Sequence, residues 1–232
     1  MDPKPRLLIV IDIATVILLI IATAMVLFYT PVERVMGLVQ KVFYFHVAAG
    51  WAGMLGFLVA TISGVVYLIT SNRKYDIVGL ASVEIGMVFA LINVITGSIW
   101  AKPIWNTWWT WDPRLTTVTI MLFIYAAYFM LRAGIEDPER RARFGAVYTV
   151  VGFISVPLTF FSARLFRTIH PIVVGANQPG ATGAFDMSPS MLQTFLVSLF
   201  TFSFIFISLL WHRVRLGKLE DKVEQLKYKT ME

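Results

Sequence analysis

The sequence predicts an all-α integral membrane protein: a bundle of six transmembrane helices, both termini inside, with a tryptophan-rich outer loop between helices 3 and 4. Three observations predict it. Of 232 residues, 57% are hydrophobic and only 15% charged, against roughly 25% charged in soluble domains. The mean hydropathy is +0.72. The 20 Lys and Arg exceed the 14 Asp and Glu, a net charge of +6, yet these charges sit between long uncharged stretches. Such a pattern excludes a soluble enzyme, a disordered tail and a nucleic-acid-binding domain. The positive excess reads as membrane topology.

A helix needs about 20 mostly apolar residues to cross a hydrocarbon core of about 30 Å. Six stretches qualify: Leu7–Phe28, Phe43–Thr70, Ile77–Trp100, Thr116–Leu131, Ala146–Ala163 and Met191–Trp211. An even number of spans puts both termini on one side. With that side inside, 14 of the 20 Lys and Arg fall on inner segments and 6 on outer ones, which orients the chain N-in and C-in. Lys4, Arg6, the first apolar run and Ala22-Thr23-Ala24 resemble a signal peptide. The run nevertheless continues through Phe28 and Asp12 interrupts its early part, which favours a retained helix.

No internal repeat or low-complexity stretch divides the chain, so residues 1–232 read as a single membrane domain. It carries an outer tryptophan loop at 100–116, a second outer loop at 164–190 and a cytoplasmic C-terminal extension at 212–232. In the extension, Leu219, Val223 and Leu226 at helical spacing fit either a solvated end of helix 6 or a surface for a cytoplasmic partner. Asp12 and Glu84 fall inside spans, where ionisable groups are paired within the bundle or functional. A contact to a partner subunit and a route for cargo remain open for Glu84.

The chain has no cysteine. It therefore holds no disulfide, no thiolate metal site and no Cys-x-x-Cys-His haem attachment motif. Its one Gly-Lys pair, Gly217-Lys218, is followed by Leu219 and lacks a Walker A context. Any ATP hydrolysis belongs to a partner, and no enzyme activity is expected.

Unusual residues collect on the outer segments. Five of the seven tryptophans lie between Trp100 and Trp111, in Trp100-Ala-Lys-Pro-Ile-Trp105-Asn-Thr-Trp108-Trp109-Thr-Trp111-Asp112-Pro-Arg114. An interfacial aromatic belt spreads its indoles over many helix ends; concentrated in one loop, they suit a flat platform for a large planar ligand. His46 opens span 2 and His170 follows span 5, both on the outer side. Two imidazoles without cysteines or an acidic cluster suit haem iron, which needs only axial donors, better than zinc. Lys102, Arg114, Arg164 and Arg167 are available for haem propionates, although membrane-end anchoring is an alternative for Arg164 and Arg167. Asp112 is expected to cap helix 4 or to pair with Arg114. His212, at the inner end of helix 6, reads as a helix-end cation.

The core Trp108-Trp109-Thr-Trp111-Asp112-Pro-Arg114-Leu-Thr116 resembles the "WWD" signature of haem-handling proteins of cytochrome c biogenesis. Chain length, six spans and one outer histidine on each side of the signature are similar to the CcmC family in particular. That resemblance implies a protein of the bacterial inner membrane that binds haem b (iron protoporphyrin IX) on the periplasmic side, with His46 and His170 as axial ligands. Trp105, Trp108, Trp109, Trp111, Asp112 and Arg114 match the signature, and Arg167 joins them as a haem contact. It further implies delivery to the haem chaperone CcmE, within a complex containing the ABC transporter subunits CcmA and CcmB and the small membrane protein CcmD. The chain departs from the family at Asn106, where glycine is common, at Ala48, where proline is common, and at Leu165-Phe166, where tryptophans are common. Two other readings of the same histidines are an electron-transferring membrane cytochrome b and a cytochrome c haem-lyase-type subunit.

Overall fold

The computed structural model describes residues 3–34, 36–166, 168–170 and 187–231. Seven α-helices make up the described fold: α1 (Arg6–Ala24), α2 (Lys41–Thr70), α3 (Arg73–Trp105), α4 (Pro113–Ala133), α5 (Pro138–Gly152), α6 (Ser155–Leu165) and α7 (Pro189–Met231). Six helical segments, with α5 and α6 forming one of them, are long and apolar enough to cross a membrane.

Helix boundaries follow local chemistry. Asn72, Asp112 and Asp137 cap α3, α4 and α5 by accepting from the N–H groups of Lys74, Leu115 and Arg140, and Pro113 and Pro138 occupy first-turn positions where no N–H bond is lost. The expected fifth span is divided at Phe153–Ile154. Pro157 explains the division, because its ring lacks an N–H and clashes with the carbonyl four residues back, that of Phe153. The third span outruns its expected end at Trp100 and continues to Trp105. Pro103 sits in its last turn, and Asn106 then leaves the helix in the left-handed region with φ 53°. The Lys102 ammonium donates to Asn106 O and Oδ1 at 3.2 and 3.0 Å, closing the end. Only residues 106–112 therefore lie outside helix between α3 and α4.

The most extensive packing in the bundle is between α2 and α3, and small residues permit it. Ala52, Gly56, Ala60 and Gly64 recur every four residues on α2; Ser82, Gly86 and Ala90 do the same on α3. A Cβ on Gly56 would stand 2.7 Å from Gly86 Cα and 2.8 Å from Ser82 O. With lipid outside, such helices associate through close van der Waals contact. Around this pair, Phe57 stacks on Tyr125 of α4 at 3.7 Å between ring centroids. Tyr128, Met121 and Val156 join the same buried cluster.

One end of the bundle is clasped by charge. Arg132 donates to both oxygens of Asp76 at 2.5 and 3.0 Å, with both side chains buried. Arg73 reaches Asp221 at 3.0 Å and Pro138 O at 3.0 Å, and Arg141 reaches Glu224 at 3.3 Å. These pairs draw the extension after residue 212 onto α3 and α5. Glu84 finds its partner within the bundle, Arg213 of α7, at 2.6 Å. Asp12 likewise binds α7, accepting from Ser208 at 2.5 Å and facing His212 Nε2 at 3.0 Å, with Lys4 completing the cluster.

Two outcomes test these contacts. Gly56→Leu forces α2 from α3 and is expected to cost about 1–3 kcal/mol, read as a lower Tm in detergent. Arg132→Ala strands a buried carboxylate at a cost of about 3–5 kcal/mol; the double variant with Asp76→Leu is expected to recover most of the loss.

Candidate functional site

At the end of the bundle opposite the charged clasp, α2 and α3 present His46. Gly97 allows its ring to lie flat on α3, since a Cβ there would be 2.8 Å from His46 Cε1. Asn93 then grips His46 twice. Its backbone O accepts from the imidazole Nδ1–H at 3.0 Å, and its side-chain amide donates to His46 O at 2.8 Å. Thr96 Oγ1 lies 3.2 Å from the same Nδ1. An Nδ1 proton engaged in this way leaves the Nε2 lone pair available to a ligand.

His170 is built on the same plan with a different acceptor. Its Nδ1–H donates to Asp112 Oδ2 at 2.7 Å, and the Thr168 hydroxyl donates to that same oxygen. Asp112 Oδ1 accepts from Leu115 N at 2.9 Å. One carboxylate thus starts α4 and orients an imidazole. Burial pulls the Asp112 carboxyl up, but the Thr168 hydroxyl, the Leu115 N–H and the His170 ring outweigh it and hold it below its ordinary value. Burial pushes the His170 imidazole down; Asp112 opposes the push and Arg114 adds to it. With Nδ1 engaged by Asp112, Nε2 is the ring nitrogen left available.

The two imidazoles line one cleft and are joined by a ladder of rings. His46 meets Trp100 at 5.9 Å, Trp100 meets Trp105 at 5.7 Å, and Trp105 meets His170 at 5.5 Å. Successive planes are tilted by 40°, 60° and 60°, so the expected flat platform of five indoles is instead a folded wall. Trp108 and Trp109 also line the cleft. Trp109 packs against the core beneath it and meets Trp111 edge-on at 5.6 Å. Trp111 itself is 72% exposed and does not line the cleft.

Arg114 enters the cleft half-buried, and among the described residues no carboxylate lies within ion-pairing distance of it. Two further donors in the wall, Trp100 Nε1–H and the Thr110 hydroxyl, are buried without a hydrogen-bond partner among the described residues. A buried orphan donor is costly, so a cationic guanidinium beside two orphans fits a ligand with acceptor oxygens. Among the described residues no cluster of three or more His, Cys, Asp or Glu could hold a bare metal ion. Two imidazoles alone suit an iron whose equatorial positions are already filled.

The other expected cations are placed otherwise. Lys102 is spent on the end of α3. Arg164 lies over the Phe161 ring at 5.9 Å, and Arg167 lies outside the described residues, as does most of the second outer loop, 171–186. Leu165 and Phe166 are exposed at the end of α6 and do not line the cleft. Asp112 caps α4 as expected, but its second oxygen faces His170 rather than Arg114. Asn93, Thr96, Gly97 and Thr168 escaped sequence reasoning. Asn93 and Gly97, one turn apart on the helix that runs into the tryptophan segment, were the available signal.

A family model for heme exporter protein C, CcmC, matches residues 3–229. Curated relatives described as heme exporter protein C include one from Bradyrhizobium diazoefficiens, 32% identical over 84% of this chain and 73% of the relative. Another, from Rhodobacter capsulatus, is 32% identical over 93% and 88%. A third, from Escherichia coli K12, is 26% identical over 88% and 80%. Nearly the whole length, both histidine-bearing regions included, falls within the match, and the chain belongs to the heme exporter protein C (CcmC) family.

Proposed function

We propose that this chain handles haem for cytochrome c biogenesis by holding it between His46 and His170 at the outer face of the bacterial inner membrane and passing it to the chaperone CcmE. The observation that carries the reading is the matched pair of imidazoles. Each has Nδ1 fixed by an acceptor, Asn93 O or Asp112 Oδ2, and each lines the same cleft beside Arg114. The cargo supplies an iron with two open axial positions. The chain supplies two oriented Nε2 donors, an apolar indole wall and a guanidinium suited to a propionate.

Orientation follows from the distribution of charge. Arg73, Arg132, Arg140, Arg141 and Arg143 stand at the helix ends opposite the cleft. The positive-inside rule supports reading that end as cytoplasmic and the cleft as periplasmic. The cytoplasmic end, with its clasped C-terminal extension, is where the ATP-hydrolysing CcmA would approach, while CcmB and CcmD would meet the chain within the membrane. Without a cysteine, the chain holds haem as haem b, by coordination and contact alone, and so can surrender it.

The electron-transferring cytochrome b reading requires histidines buried along the spans. Here His212, the third histidine, lies at the opposite end against Asp12, and the other two share one end. The geometry favours delivery.

His46→Ala and His170→Ala are expected to abolish the bis-imidazole haem spectrum of the purified chain; an unaltered spectrum in either variant overturns the proposal. Asp112→Asn keeps a competent helix cap while weakening the His170 acceptor, so haem affinity should fall about 10–100-fold with little change in Tm. Asp112→Ala should lose both. Trp108→Ala is expected to leave the axial spectrum in place while haem is retained less well, measured as faster loss to apomyoglobin and poorer loading of CcmE.

A further inference from the structure

The cleft between the histidines holds about 60 Å³, far below the roughly 300–1,000 Å³ of pockets that take drug-sized ligands. Directly beneath it lies a larger recess of about 320 Å³ that shares His46, Asn93, Arg114, Val118 and Thr159 with the cleft as a common wall. Its other walls are almost wholly apolar. Gly50, Met54 and Phe57 of α2 form the floor; Phe160 of α6 stands on one side, and Phe195 and Leu199 of α7 stand on the other. From His46 to Phe57 the floor descends about 16 Å along α2, well into the hydrophobic span Leu38–Thr70.

The recess is open sideways because two helices leave a gap. α6 packs on α4, whereas α7 packs on α1, α2 and α3, and no substantial packing joins α6 to α7 among the described residues. At the mouth, Trp51 is 40% and Phe160 37% exposed, facing the layer that a membrane would fill with acyl chains. Trp51 Nε1 donates to Ser203 Oγ at 3.0 Å, fixing the α7 side of the opening.

We infer that the gap between α6 and α7 is a lateral portal through which an iron porphyrin passes between the hydrocarbon of the bilayer and His46. This rests on the haem-handling reading above and adds the route. The two ends of the recess select the occupant. A plain acyl chain has no use for an imidazole and a guanidinium at the inner end. A planar, largely apolar macrocycle with iron at its centre and carboxylates at one edge matches apolar walls that terminate in His46 and Arg114. The volumes agree with this direction of entry: the larger space lies in the recess, on the bilayer side of His46.

The strong absorbance of ligated haem makes the route testable in the full chain reconstituted in lipid nanodiscs. Ferric protoporphyrin IX is supplied either dissolved in the bilayer or from aqueous haem–albumin, and the Soret change is followed in time. Leu199→Trp, which plugs the recess away from both imidazoles, is expected to slow loading from the bilayer by tenfold or more, with the final occupancy and spectrum of the wild type. Phe160→Ala, which widens the mouth, is expected to speed it. Wild-type rates from the bilayer in both variants overturn the portal and assign the recess to an acyl chain or a partner helix, while the wild-type spectrum keeps the haem-binding reading intact. Should Leu199→Trp fail to fold, Phe160→Ala decides alone, and no acceleration overturns the portal. A wild-type chain that yields no bis-imidazole spectrum from either source overturns the haem-binding reading itself.

Discussion

Everything at the candidate site depends on how closely α2 approaches α3. The approach is a matter of missing atoms: glycine and alanine at every fourth position let two backbones come within contact distance. Where the stripe ends, the same closeness puts a ring nitrogen of His46 against a main-chain oxygen of Asn93. A carbonyl within the long helix α3 is a rigid acceptor, so the imidazole inherits the rigidity of the helix pair. No flexible side chain could hold it as firmly.

The second imidazole is held by a different kind of support. Residues 168–170 are not helical, and the orientation of His170 comes from Asp112 across the cleft. The two histidines therefore sit on different supports, one embedded in the bundle and the other held from a helix cap. On the proposed function, a donor embedded in the bundle paired with one held by a single side chain is a workable division between grip and release. The recess below His46 fits this division, since it lies beside the embedded donor.

Much of the plan was legible in the chain because it rests on gross chemistry. Twenty apolar residues in a row mean a span wherever they occur, whereas the break that Pro157 makes in the fifth span was passed over in reading Ala146–Ala163 as one run. That His46 and His170 share an end follows from counting spans between them. The hidden part depends on contacts that have no signature in residue types. The acceptor for His46 is a backbone carbonyl, which every residue possesses. The tilt of Trp105 against Trp100 is set by rotamers, so a row of indoles in sequence did not foretell a folded wall. Asn106 stood out as a departure from glycine, and its left-handed φ of 53° gives the reason: asparagine is among the few other residues that tolerate that region.

Asp112 is a single side chain answering to two tasks. Its oxygens are divided between the first turn of α4 and the ring of His170. Unwinding that turn would swing the carboxylate and rob the imidazole of its anchor in the same movement. Strain on the short segment of residues 106–112 would thus act on the His170 ring through the Asp112 side chain, and, on the proposed function, on any iron which that ring holds.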